Sequence, residues 1–235
     1  MSEIRCVVFD VDDTLYLERD YIRSGFGCVG GWARDNLGID DFAELAWHAF
    51  EEGTRGSTFD VVLRQRGIDP TSELVGRLMG FYRSHEPDIE LLPDARECLK
   101  RLAGRLALAT VTDGPLESQR AKARALDLAR WVDPIIFTAE LGASFSKPHI
   151  RGFEVVEEMT GCSDEECVYV ADNPLKDFVA PRALGWKTVR VRRPQSLHQT
   201  VPSGADVDLE VTDLSDHLRL TGPSAGGTHG VIGSV

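Results

Sequence analysis

One figure recurs along this chain and limits its folding options: a short, unbroken apolar run that stops abruptly at an acid or a hydroxyl. Arg5-Cys6-Val7-Val8-Phe9 stops at Asp10-Val11-Asp12-Asp13-Thr14. Leu106-Ala107-Leu108-Ala109-Thr110-Val111 stops at Thr112-Asp113-Gly114. Cys167-Val168-Tyr169-Val170 stops at Asp172, and Pro134-Ile135-Ile136-Phe137 and Thr188-Val189-Arg190-Val191 are two further runs. A strand buried on both faces has no polar side to alternate with, so continuous runs of this kind point to a parallel sheet. Between them, Ala95 to Leu102, Leu116 to Leu128 and Phe153 to Met159 carry apolar residues at helical spacing. Alternating strand and helix predicts an α/β fold with a doubly wound parallel sheet. Functional sites of such sheets lie beyond the carboxyl ends of the strands, where the polar residues of this chain collect.

The stretch from Glu18 to Asp88 breaks the pattern. It contains no convincing strand; Ile22, Phe26, Val29, Ala33 and Leu37 share one helical face, and Phe42, Leu45, Ala46, Ala49 and Phe50 another. We expect a helical insertion over 18–88, set between core segments 1–17 and 89–220. An insertion at the carboxyl end of a strand acts as a lid over the site. Gly25, Gly27, Gly30 and Gly31 weaken the first of its helices, since an interior glycine costs about 1 kcal/mol relative to alanine, and a broken or loop-like segment is expected there. The Gly- and Ser-rich stretch 221–235 has no periodicity and is expected to be disordered.

With 38 acidic and 26 basic residues, the formal net charge is -12. That field repels phosphate backbones and anionic lipid, which argues against nucleic-acid or membrane partners. An anionic substrate therefore needs local positive charge. The five cysteines, Cys6, Cys28, Cys98, Cys162 and Cys167, include no Cys-x-x-Cys pair and read as reduced thiols of a cytoplasmic protein. No signal peptide is recognisable, and no run approaches the roughly 20 apolar residues of a membrane span.

Four loci carry the chemistry. At the end of the first strand, Asp10 and Asp12 can approach one small volume from different directions, one as a nucleophile and the other as a proton shuttle; a polar turn after a buried strand looks the same. Thr112-Asp113-Gly114-Pro115 starts a helix whose free N–H groups suit an anion, or it is simply a cap. Lys147, in Ser146-Lys147-Pro148, can neutralise a phosphoryl oxygen and the nucleophile together. Asp172 and Asp177 bracket a short turn and offer hard oxygen ligands suited to Mg²⁺.

Taken together and in this order, these loci resemble the haloacid dehalogenase superfamily. The signature is Asp-x-Asp-x-Thr at Asp10 to Thr14, then Thr112, Lys147 and the acidic pair Asp172 and Asp177. The resemblance covers the whole core, and the helical insert falls where the family carries its first type of cap. It implies a Rossmann-like core and a Mg²⁺-dependent phosphatase acting on a small phosphorylated metabolite, such as a sugar phosphate or a nucleotide. It also implies that Asp10 is the nucleophile and Asp12 the general acid and base. Mg²⁺ would be held by Asp10, the main-chain oxygen of Asp12 and Asp172, with Asp177 in support. Thr112, the Asp113 N–H and Lys147 would take the phosphoryl oxygens. Candidate cap contacts to substrate are Arg19, Arg23, Trp32, Arg55 and His85. Asp13 stands where many relatives carry Gly, and Ala171 stands where Gly is usual, a change expected to restrict the loop. Metal-free dehalogenation of a 2-haloacid and phosphomutase activity are the rivals within the family; Asp12 favours phosphate transfer. A receiver-type phospho-accepting module is the rival from another class, but its acidic pair precedes its acceptor and it has no use for the insert. The sequence leaves the oligomeric state open.

Overall fold

Every residue of the first strand, β1 (Cys6–Phe9), is buried, because β1 lies inside a six-stranded sheet of order β3-β2-β1-β4-β5-β6. The computed structural model describes residues 3–215. The other strands are β2 (Ala107–Thr112), β3 (Ile135–Phe137), β4 (Cys167–Ala171), β5 (Lys187–Val191) and β6 (Leu209–Val211), and every pairing is parallel. This is the doubly wound parallel sheet that the alternation predicts, extended by β6, which the sequence did not signal. β6 has three residues, two of them exposed, so it has too little apolar pattern to be read.

Side chains alternate across β1. Val7 and Phe9 enter one core with α5 (Pro93–Leu102) and α6 (Leu116–Ala125). Cys6 and Val8 enter the other with α8 (Arg151–Thr160) and α9 (Val179–Ala183), where Phe153 packs edge-on against Tyr169 and Trp186. The short α7 (Thr138–Leu141) follows β3. Phe9 is level with Thr110 of β2 and Val170 of β4. The register therefore brings the ends of three strands to one edge, at the point where the sheet order reverses direction.

The insertion is helical throughout: α1 (Glu18–Leu37), α2 (Phe42–Glu51), α3 (Thr58–Gln65) and α4 (Ser72–Ser84). These helices share a third core of Phe26, Val29, Phe42, Phe50, Phe59, Leu63 and Leu78, and Leu197, from the segment between β5 and β6, packs against it. The expected break in α1 is absent; the helix runs for 20 residues. Two of its glycines are close-packing notches. A Cβ on Gly25 would lie 2.5 Å from the Tyr82 ring, and one on Gly30 would lie 2.8 Å from the Cβ of Ala43. Tertiary packing thus outweighs helix propensity.

Ala171 is the last residue of β4, buried and without a positive φ, so glycine's freedom is not needed there. Asp13 does adopt the left-handed region, with φ 52°, which aspartate tolerates better than most residues. It uses the position: Oδ1 accepts from the N–H of Glu18 at the start of α1, and Oδ2 accepts from the N–H of Leu197. All five cysteines are free thiols. Among the described residues no helix is long and apolar enough to cross a membrane. The stretch 221–235, expected to be disordered, lies outside the described residues.

Candidate active site

Asp10 continues the β1 ladder by donating its N–H to the carbonyl of Val170, and the chain then turns as the N–H of Leu15 bonds back to Val11. This turn points Asp10 and Asp12 in different directions. Asp10 Oδ1 accepts a hydrogen bond from Lys147 Nζ at 2.8 Å. The same ammonium donates to the Tyr169 hydroxyl at 2.9 Å, and lies 2.7 Å from Asp177 Oδ1 as an ion pair without hydrogen-bond geometry. The Tyr169 hydroxyl donates its own hydrogen bond to the carbonyl of Val111, tying β4 to β2. Lys147 is 1% exposed at its side chain. Burial opposes its charge, yet Asp10 and Asp177 hold its pKa well above the ordinary lysine value.

Asp113 fixes the approach of Lys147. Its carboxylate accepts from the Lys147 N–H, the Thr138 hydroxyl and Lys176 Nζ. Asp177 accepts from the N–H of Asn173 and so closes the turn that begins at Asp172. Arg190, fully buried, donates Nε to the carbonyl of Asp172 and further N–H groups to the carbonyls of Val201 and His198. Arg193 donates twice to the carbonyl of Thr14 and pairs with Asp94. Two buried guanidiniums therefore brace the main chain behind the site.

One carboxylate oxygen from each of Asp10, Asp172 and Asp177 lies within 4.8 Å of the others. Asp172 Oδ2 is buried with no hydrogen-bond partner. An unpaired carboxylate oxygen in such a place is costly. Burial, with help from Asp177 and Asp10, raises Asp172 well above the usual carboxylate range. Burial likewise pushes Asp10 up to about 6, against the pull of Lys147. A hard divalent cation fits this donor set: it would complete the orphan oxygen and relieve the repulsion.

Asp12 faces away from this cluster. Its carboxylate takes Lys122 Nζ at 2.7 and 2.9 Å, Gln119 Nε2 at 3.1 Å and the Tyr16 hydroxyl. Burial works to raise Asp12, but the Lys122 charge and these three donors leave it lowered. The hydroxyl of Thr112 donates to Gln119 Oε1 at 3.0 Å, so Thr112 reaches the centre through Gln119 and is not among the residues lining the cavity. Nothing in the sequence alone singles out Gln119 and Lys122. They are three apart on α6, hence on one face, and the available signal is that this face is buried although polar.

The cavity over these groups measures about 330 Å³ and is lined by Asp10, Asp12, Asp113, Lys122, Asp172 and Lys176 from the core side, with His198. Tyr21, Met79, Tyr82 and Arg83 line it from the helical insertion. The Tyr21 hydroxyl is buried without a hydrogen-bond partner. Glu18, half-buried at the entrance to α1, is pushed up to about 8 by burial and by Asp12. None of the expected cap contacts lines this cavity. Arg19 bonds Gln195 and Glu51, Arg23 sits 4.6 Å from the Trp47 ring centre, and Trp32 stacks on Phe81. Arg55 lies 4.0 Å over Phe50 and donates to the carbonyls of Phe50 and Thr54. His85 is buried beside Tyr82, with Nδ1 2.6 Å from the Tyr82 carbonyl oxygen. A larger open groove of about 1150 Å³, which includes Arg23, Arg96 and Trp131, contains none of the carboxylate cluster. Asp10, Asp12 and Asp172 thus open on the smaller cavity.

A glyceraldehyde 3-phosphate phosphatase of Methanopyrus kandleri is 30% identical over 201 residues, covering 81% of this chain and 84% of its own length. An (S)-2-haloacid dehalogenase of Xanthobacter autotrophicus is 25% identical over 205 residues, covering 81% and 76%. Among solved structures, a HAD-hydrolase of Bacillus subtilis bound to magnesium superposes with a TM-score of 0.64 at 21% identity, over 91% of this chain and 96% of that one. The family model for haloacid dehalogenase-like hydrolases matches residues 4–185. That match begins just before β1 and ends just before β5, so it spans every carboxylate described above, and the chain belongs to the haloacid dehalogenase-like hydrolases.

Proposed function

We propose that this hydrolase is a Mg²⁺-dependent phosphomonoesterase acting on a small phosphorylated metabolite through a phosphoryl group carried on Asp10. The observation that carries the reading is the buried Asp10–Lys147–Asp177 arrangement beside the orphaned oxygen of Asp172. Asp10, the main-chain oxygen of Asp12 and Asp172 would hold Mg²⁺, supported by Asp177; when bound, it offsets negative charge on the nucleophile and on the phosphoryl oxygens. Lys147 fixes Asp10 for in-line attack on phosphorus and adds positive charge there. Asp12 protonates the departing oxygen, then accepts a proton from the water that cleaves the acyl phosphate. Its pairing with Lys122 keeps it ionised at rest, as the second step needs. For the first step the proton comes from the monoanion of the phosphomonoester, whose charge beside Asp12 raises that carboxylate's proton affinity, so that Asp12 relays the proton to the departing oxygen. The N–H groups at Asp113 and Gly114, with Lys147, suit the remaining phosphoryl oxygens. Phosphatase names among the relatives support the phosphate ester, and a 330 Å³ cavity suits a small one.

The test is turnover of p-nitrophenyl phosphate with Mg²⁺. We expect multiple turnovers, more than about a thousandfold loss of kcat in Asp10→Asn, and no activity in excess EDTA. Undiminished activity of Asp10→Asn would refute the assignment. A haloacid substrate turned over in EDTA would favour the dehalogenase.

A further inference from the structure

A second hollow, of about 190 Å³, lies within the helical insertion. Ile22 and Phe26 of α1, Phe50, Phe59 and Val75 give it a mainly apolar wall, with Thr54, Thr58 and Asp60 also among its lining residues. Met79 and Tyr82 line both this hollow and the catalytic cavity, so the two spaces share one partition. The two residues differ in mobility. The Tyr82 ring is held by ring contacts to Tyr21, Phe26 and Phe59 and has no space toward Gly25. Met79 is half-buried and unbranched, a side chain that swings between rotamers at low cost. Arg83, at the end of α4, is the insertion's one arginine that lines the catalytic cavity among the described residues, and the other candidate arginines are engaged elsewhere. Arg19 and Arg23 lie outside the catalytic cavity, and Arg55 in the hollow's wall is already bonded to main-chain carbonyls and stacked on Phe50.

We infer that the preferred substrate is a phosphomonoester whose leaving group carries an apolar segment, which passes Met79 and seats in this hollow. An apolar cavity of about 150 Å³ takes up benzene, so 190 Å³ accommodates a six-carbon ring or a short alkyl chain. The inference rests on the phosphatase reading and narrows it, turning the selection away from sugar phosphates.

The experiment is kcat/KM with Mg²⁺ along ethyl, butyl and hexyl phosphate, whose leaving-group chemistry is the same, with glyceraldehyde 3-phosphate alongside. Burying each added methylene is expected to raise kcat/KM about threefold to fourfold, with hexyl phosphate above glyceraldehyde 3-phosphate. Val75→Phe, which fills the hollow, is expected to bring the hexyl-to-ethyl ratio close to one. A flat alkyl series in the unaltered protein overturns the inference whether or not that variant folds. So does a series that keeps its slope in folded Val75→Phe, or glyceraldehyde 3-phosphate exceeding hexyl phosphate tenfold. Failure to turn over any phosphate ester refutes the phosphatase reading itself, whereas turnover with a flat series removes only the apolar subsite.

Discussion

The same substitution made at four glycines of one helix should move stability in two directions. Gly27 and Gly31 have nothing within 4 Å of an added Cβ, so alanine there gains only helix propensity, about 1 kcal/mol. At Gly25 the new methyl would sit 2.5 and 2.6 Å from two atoms of the Tyr82 ring. That ring is the hub of edge and tilted contacts with Tyr21, Phe26, Phe59 and His85, so it cannot move without disturbing them. Overpacking of this kind costs about 1–3 kcal/mol; after the propensity gain, Gly25→Ala should destabilise by up to about 2 kcal/mol. At Gly30 the obstacle is the Cβ and main chain of Ala43, at 2.8 to 3.4 Å. No rotamer change relieves a main-chain clash, so α1 and α2 must separate, and Gly30→Ala should be the most damaging of the four. Urea denaturation read by far-ultraviolet circular dichroism gives the midpoints. The expected order, from least to most stable, is Gly30→Ala, Gly25→Ala, the unaltered protein, then Gly27→Ala and Gly31→Ala. Midpoints that rise for all four would refute the notch argument and show that propensity alone governs α1. Because Tyr82 also walls the catalytic cavity, Gly25→Ala should raise KM as well, an effect that Gly27→Ala should not share.

Three other outcomes follow from the site. Removing the cation in Lys122→Gln takes away the main influence lowering Asp12, so the acidic limb of the kcat profile, where Asp12 must be a base, should shift to higher pH; an unmoved limb would separate Lys122 from the proton transfers. Asp10 is pushed up to about 6, so protons compete with Mg²⁺ below that value. Asp10 is almost wholly ionised at pH 7.5 and about a quarter ionised at pH 5.5, so titration calorimetry should find at least about fourfold weaker Mg²⁺ binding at the lower pH; equal affinities would contradict it. Arg190→Met leaves the carbonyl of Asp172 without its donor and takes one of two donors from each of the carbonyls of His198 and Val201, and should cost about 1–3 kcal/mol in urea denaturation, with weakened Mg²⁺ binding in any folded fraction.

What could be read in advance had a local physical signature. β1 and β4 are buried on both faces, so their apolar runs are continuous and the acids that end them stand out. The approach of Asp10, Lys147 and Asp172 follows from topology alone, since each ends or follows a parallel strand. What could not be read depends on partners distant in the chain. Gly25 and Gly30 look like weaknesses in a helix until Tyr82 and Ala43 are beside them. Lys122 lies 110 residues from Asp12, and a helical lysine by itself reads as a solvated charge. Arg19, Arg23 and Arg55 carry the right charge for a phosphate ester, but each finds an aromatic ring or a nearby acceptor first. Thr112 stands at the expected strand end, yet its hydroxyl is taken by Gln119, a contact set by how α6 lies against the turn after β1.

Charge balance explains why the site takes this form on a chain of net charge -12. Asp12 is matched by Lys122 and Asp113 by Lys176. Lys147 alone must serve Asp10, Asp177 and the nearby Asp172. Three carboxylates around one ammonium leave two negative charges uncompensated in a buried space. Burial first, and then that excess, push Asp10 and Asp172 upward, because protonation is the relief available from the chain itself. Protons, however, would quench Asp10 in the nucleophilic role proposed for it. A single divalent cation would cancel the same two charges, leave Asp10 ionised, and remove the local negative potential that otherwise repels an approaching phosphate.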